Sequence, residues 1–188
     1  METETIYVIA AIAIAVIAFF LLISYVKAPP SYAFIITGLS KEPRVLIGTC
    51  GFRIPFFERI DHIYLAQISI DIKTEECMLT RDAAKVKVEA LAKIQIMQDH
   101  ESIRLASRSF LNMTPDKIAD HVQDVMQSNM RELIRETDLD SLNNDRRIFS
   151  DRMIKMTAPV MAKFGMDLFY FNLQKVTEKS NIYDNEQR

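Results

Sequence analysis

Glycine is scarce in this chain of 188 residues, with Gly38, Gly48, Gly51 and Gly165 making up the whole complement. Phosphate-cradling loops and dinucleotide-binding turns need several glycines in close spacing, so both are excluded. Histidine is as thin. His62, His100 and His121 stand far apart, and none has a second His or Cys at ligand spacing, which leaves them as solvated or capping groups. No serine occupies a G-x-S-x-G elbow. The two cysteines, Cys50 and Cys77, are too few for a disulfide framework and fit reduced thiols, and neither has the juxtamembrane position of an acylated one. Glu75, Glu76, Asp138 and Asp140 fall in turns and helix starts, where capping accounts for them. Met126, Met130, Met153, Met156, Met161 and Met166 keep the spacing of an adaptable helical core rather than of a soft-metal site. The expectation is a protein that is not an enzyme and needs neither cofactor nor metal.

A strong charge of either sign is also missing. With 23 Lys plus Arg against 25 Asp plus Glu, the chain has no field to steer nucleic acid, which is excluded as a partner. What is present begins at the N-terminus. "IYVIAAIAIAVIAFFLLISYV", Ile6 to Val26, carries no charge and as a helix would extend about 30 Å, the thickness of a bilayer's hydrocarbon. The leader "METET" and the exit through Tyr25, Val26 and Lys27 do not fit a cleaved signal peptide, so the run reads as a transmembrane helix. Tyr7 and Tyr25 fall at the two headgroup levels, and Lys27 directs the remainder to the cytoplasmic side, with the N-terminus outside. Ala11, Ala15 and Ala18 share one face, either as filler or as the approach of a second span. Immediately after the span the balance is basic, Lys27, Lys41, Arg44, Arg53 and Arg59 against Glu42 and Glu58. Each such group near an anionic leaflet is worth about 1 kcal/mol.

The chain divides into the helix at 1–26, a linker at 27–31, a β-rich part at 32–97, an α/β part at 98–178 and a polar tail at 179–188. "KAPPS", with Pro29 and Pro30, predicts a stiff extended spacer. Period-two patterning then marks "YAFIITG", "RVLIG", "HIYLAQISIDI" and "AKVKVEALAKIQI" as strands. In the third the parity slips, which predicts a β-bulge near Ala66 and Gln67, and "LTRDA" reads as a hairpin connection. From Asp99 the period is helical. Asp99 caps a helix with Ile103, Ala106 and Phe110 inward; Thr114 and Pro115 open a second with Ile118, Val122, Val125 or Met126, and Leu133 inward. A third carries Ile148, Phe149, Met153, Met156, Val160 and Phe164, is kinked by Pro159 and stops at Gly165, before "MDLFYFNLQKV" returns to strand. Strands, then helices, then one closing strand is an α+β order with an antiparallel β-rich part.

One loop is out of keeping with its place. "GFRIPFFERI" sets Ile54, Pro55, Phe56 and Phe57 between Arg53 and Arg59. Taken singly, either phenylalanine fits a core or an apolar partner. Arg53, Arg59 and the short tether that begins at Lys27 direct the loop as a whole to the bilayer, with rings in the interface and guanidinium groups on lipid phosphates.

The assembled order of an apolar N-terminus, "APPSYAFIITG", "RVLIGTCGFRIPFFERIDHIYLAQISIDI", "LTRDAAKVKVEALAKIQI", "RSFLNMTPDKIADHVQDVMQSNMRELI" and "DRRIFSDRMIKMTAPVMAKFGMDLFYFNLQKV" resembles the flotillin branch of the stomatin, prohibitin and flotillin (SPFH, band 7) superfamily, over roughly Ala28 to Thr177. The resemblance implies a membrane-bound, self-associating scaffold that organises membrane microdomains and corrals lipids and membrane-protein clients. It also implies that the first β-rich part lies against the membrane. Partners would be anionic lipid, further copies or longer flotillin-like proteins. The superfamily alternatively implies a regulatory subunit that encloses or restrains a membrane protease or channel. An N-terminal span is a feature of the bacterial type rather than of the acylated animal one. The Glu/Ala-rich coiled coil that flotillins carry after the domain has no counterpart in "TEKSNIYDNEQR", which has no heptads.

Overall fold

The apolar run forms helix α1 (Glu2–Ser24), which ends at Ser24 rather than at Val26. The reason is a pairing that the local pattern does not reveal. Tyr25–Lys27 is a short strand, β1, antiparallel to β4 (Cys50–Phe52), with Tyr25 opposite Phe52 and Lys27 opposite Cys50. Arg53 N–H donates to the Ser24 carbonyl at 2.9 Å, so a helix-end acceptor is satisfied from the far side of the sheet. The expected spacer is consequently absent. Ala28 is buried and donates its N–H to the Thr49 carbonyl at 3.0 Å, and a turn from Pro29 to Tyr32, 3.1 Å, leads directly into β2 (Tyr32–Thr37).

The computed structural model describes residues 2–39, 43–74 and 77–178. Lys41, Glu42, Glu75, Glu76 and the polar tail at 179–188 lie outside the described residues. Among the described residues no helix is long and apolar enough to cross a membrane.

The chain forms two compact units, Met1–Leu65 and Ala66–Arg188. In the first, β2 is the central strand of an antiparallel sheet between β3 (Arg44–Ile47) and β5 (Arg59–Tyr64). Tyr32 stacks edge-on against Tyr64 at 5.3 Å, and Ala33, Ile35, Ile36 and Ile63 are buried. The boundary explains the parity slip in "HIYLAQISIDI". It is not a bulge: β5 belongs to the first unit's sheet, and β6 (Ile68–Lys73) to the second's. The two units thus divide between Leu65 and Ala66, within the β-rich stretch.

The second unit is built on β8 (Lys85–Ile96), which pairs on one side with β6 and β7 (Met78–Leu79) and on the other with β9 (Met166–Glu178). Alternation puts Val86, Val88, Ala90, Ala92, Ile94 and Ile96 on one buried face. True register shifts occur opposite Glu89/Ala90 and Lys93/Ile94, where β9 carries the extra residues Gln174 and Phe169. Between β8 and β9 lie four helices: α2 (His100–Phe110), α3 (Pro115–Arg135), α4 (Leu139–Asn144) and α5 (Arg146–Lys163). α3 contributes buried Ile118, Val122, Met126 and Met130, and α5 Phe149, Met153, Thr157 and Met161. At about 1.5 to 3 kcal/mol for each large apolar side chain buried, this layer supplies much of the unit's stability. Ile148, assigned to the core by period, is 59% exposed, because the α5 stripe runs Phe149, Met153, Thr157, Met161 and admits a threonine whose hydroxyl accepts from Asn129 at 3.1 Å. Pro159 lies inside the continuous α5.

Candidate functional site

The loop 53–58 hangs from the foot of α1. Its backbone is fixed by a tight turn in which Phe57 and Glu58 N–H groups donate to the Ile54 carbonyl, at 3.3 and 3.1 Å. Glu58 is the brace: buried, it accepts from Ile54 N–H at 2.8 Å through Oε2 and from Arg44 at 2.6 Å through Oε1. Gly38 fits beneath, since a Cβ there would come within 2.3 Å of the Phe57 carbonyl oxygen. The turn so held forces Phe56 to φ 70°, a left-handed conformation that a bulky residue adopts only under constraint.

What the turn accomplishes is display. Phe56 is 94% exposed and Phe57 68%. Neither ring enters the core, and an apolar ring left in water costs free energy, so the strained display is unfavourable until something apolar covers it. Ile54 is exposed as well, Pro55 and Arg53 are half-buried, and Arg59 is exposed with Nε 3.0 Å from Asp61. Lys27 is exposed at the end of β1. The pattern reading overlooked Leu39, Phe52 and the Arg44–Glu58 brace. Leu39, beside Gly38, and Phe52 are exposed, and Phe52 meets Tyr25 edge-on at 6.0 Å. Only the unusual placing of a carboxylate after "IPFF" hinted at the brace.

A second concavity, about 200 Å³, lies among Arg81, Glu136, Thr137, Asp138, Ser141, Asp145, Ile148, Phe149 and Arg152. Arg81 Nε donates to Asp138 at 2.7 Å, which holds the guanidinium's pKa above its ordinary value, and Arg152 pairs with Glu136 at 3.0 Å. Both guanidinium groups that line the concavity are thus paired with carboxylates. Among the described residues no group of three or more His, Cys, Asp or Glu could hold a metal.

The sequence profile of the SPFH domain / Band 7 family matches residues 26–188, from the first paired strand onward. The chain belongs to the SPFH/Band 7 family. Within that family this SPFH protein is flotillin-like. It is 22% identical over 183 residues to the flotillin-like protein FloT of Bacillus subtilis (strain 168), a match covering 91% of this chain and 36% of that protein. It is 22% identical over 120 residues to Flotillin-2a of Danio rerio, and over 117 residues to Flotillin-2 of Homo sapiens, matches covering 64% and 60% of this chain. They extend over only 28% and 27% of those relatives, so the SPFH protein spans about a third or less of the length of the flotillins it matches.

Proposed function

We propose that the chain is a membrane-anchored, self-associating scaffold that organises microdomains of the membrane and the proteins within them, with its N-terminus outside and its folded units on the cytoplasmic side. The observation that carries this reading is the continuity of exposed apolar surface from α1 through Tyr25 and Phe52 to Ile54, Phe56 and Phe57. Helix α1 has apolar residues exposed on every side, which suits lipid rather than water as its surroundings, and the sequence before Ile9 prolongs the run to bilayer length. The loop then lies at headgroup depth, its rings in the interface and Lys27 and Arg59 towards anionic phosphates. Similarity to flotillins supports the scaffold role over that of a subunit restraining a protease or channel.

Native-size measurement of the full chain in mild detergent, with co-purifying proteins identified, tests the scaffold. A homogeneous self-assembly is expected, whereas a fixed stoichiometric client without self-assembly would favour the regulatory subunit. For topology, exposed Cys50 should react with a membrane-impermeant thiol reagent only after cells are broken. Labelling in intact cells would reverse the orientation.

A further inference from the structure

The open face of the β6–β8–β9 sheet, turned away from the helices, is uneven in charge. At one end Lys73 stands opposite Glu89, Glu89 opposite Lys175, and exposed Lys85 and Lys87 continue the row, so four lysines outnumber Glu89 and the exposed Asp71 of β6. Farther along, the shift at Phe169 leaves that ring and Tyr170 both exposed, with Lys93 Nζ 5.5 Å from the Tyr170 ring centre and half-buried Leu91 nearby on β8. An aromatic pair beside a basic field has the composition of an interface centre. On the other side of the same unit, α3 packs Ile118, Val122 and Met126 inward and turns Asp116, Asp120 and Asp124 outward, with Lys117 and His121 exposed among them, so carboxylates predominate. Those three carboxylates recur every four residues on one helix face, a spacing at which like charges repel and weaken a helix.

We propose that these two faces form a head-to-tail contact, in which the basic, aromatic sheet face of one copy of the chain docks on the acidic face of α3 of the next. The contact rests on the self-association proposed above and names its surface. Each face is charge-complementary to the other and not to itself, which steers encounter and sets register. Because the faces lie on opposite sides of one two-layer unit, a single copy cannot satisfy both with one partner. The contact is heterologous, and it propagates until a ring closes or an open array forms.

The test uses the full chain, cross-linked in native membranes with a short reagent. Lys85→Glu/Lys87→Glu and, separately, Asp120→Lys/Asp124→Lys should each reduce the multimer ladder about tenfold relative to parent, and combining all four substitutions should restore it. Lys85→Gln/Lys87→Gln, milder and at the same exposed positions, should give an intermediate loss that deepens with salt. Circular dichroism confirms that each variant is folded. Parent-like ladders from either charge-reversed variant, or no rescue in a folded combination, overturn the proposal while leaving self-association intact. A folded lysine variant with a normal ladder but weakened attachment to vesicles containing phosphatidylserine assigns the face to lipid and overturns it equally. A parent chain with no ladder at all defeats both this contact and the reading beneath it.

Discussion

Replacing Phe56 by glycine separates display from stability. At φ 70° the native phenylalanine carries a left-handed strain on the order of 1 to 2 kcal/mol, which glycine removes, while glycine's greater freedom in the unfolded chain gives back about 0.5 to 1 kcal/mol. Since the ring is 94% exposed, little packing is lost. In a shortened chain beginning at Ser24, which keeps β1 and dispenses with most of α1, Phe56→Gly should therefore raise stability in water by about 0.5 to 1 kcal/mol. That corresponds to a melting temperature higher by roughly 1 to 4 °C for a chain of this size. On anionic vesicles the sign reverses. Losing a ring that would bury on insertion costs about 1.5 to 3 kcal/mol, so partitioning should weaken by about one to two orders of magnitude. Because the chain contains no tryptophan, Phe57→Trp adds a unique fluorophore at the neighbouring position. Its emission should be quenched by brominated acyl chains, and less so once Phe56 is glycine. A Phe56→Gly variant that is less stable in water, or that partitions as the parent does, would refute the reasoning.

Glu58→Ala should cost about 1 to 3 kcal/mol in urea unfolding, by leaving Ile54 N–H and Arg44 without their acceptor, and should loosen the loop to proteolysis. Glu58→Gln, which keeps an acceptor, should lose less. Gly165→Ala should cost about 2 kcal/mol or more, since φ is 69° and a Cβ would sit 2.1 Å from the Ser102 carbonyl oxygen; an unchanged melting temperature would contradict it. Asp99 caps α2, and its pKa lies below the usual carboxylate value because Ser102 N–H donates to it. A depressed folded pKa contributes stability above the unfolded value of about 3.9, lost as pH falls through the folded one. Asp99→Ala should thus be less stable than parent at neutral pH and approach it in acid unfolding series, whereas a gap independent of pH would deny the carboxylate its role.

Local chemistry made much of this legible in the sequence. The Asp99 cap, the glycine stop at Gly165 and the alternation of β8 are each written within a dozen residues, and the α+β order follows from the succession of such local patterns. Thr114 was legible in position only, as its hydroxyl makes no capping bond. What escaped depends on partners distant in sequence. Tyr25 and Val26 look helical until Cys50–Phe52 is known to lie beside them. The parity slip at Leu65 to Gln67 has the same local signature whether a strand bulges or passes from one sheet to another. Helix α4, only six residues long, is too short to show a period, and Thr157 enters the core because Asn129 meets it. For the loop, composition announced the phenylalanines but could not choose between burial and display. The choice was made by Glu58, Arg44 and Gly38, which come together only in the fold.

The position of β8 has a consequence for biosynthesis. One edge of this long strand is completed by β6 and β7, which precede it, but the other waits for β9, the last element described. At about 5 to 20 residues per second, the ribosome takes several seconds to supply it. During that interval β8 offers a newly made, valine- and isoleucine-rich edge to any passing chain. The hazard continues until translation has passed beyond Glu178, so messages or nascent chains cut short within α5 would yield products prone to aggregate rather than merely inactive ones. An apolar N-terminus that reaches the bilayer early would hold each such unfinished chain beside others in the same state, which makes β9 a checkpoint for when neighbouring copies can safely meet.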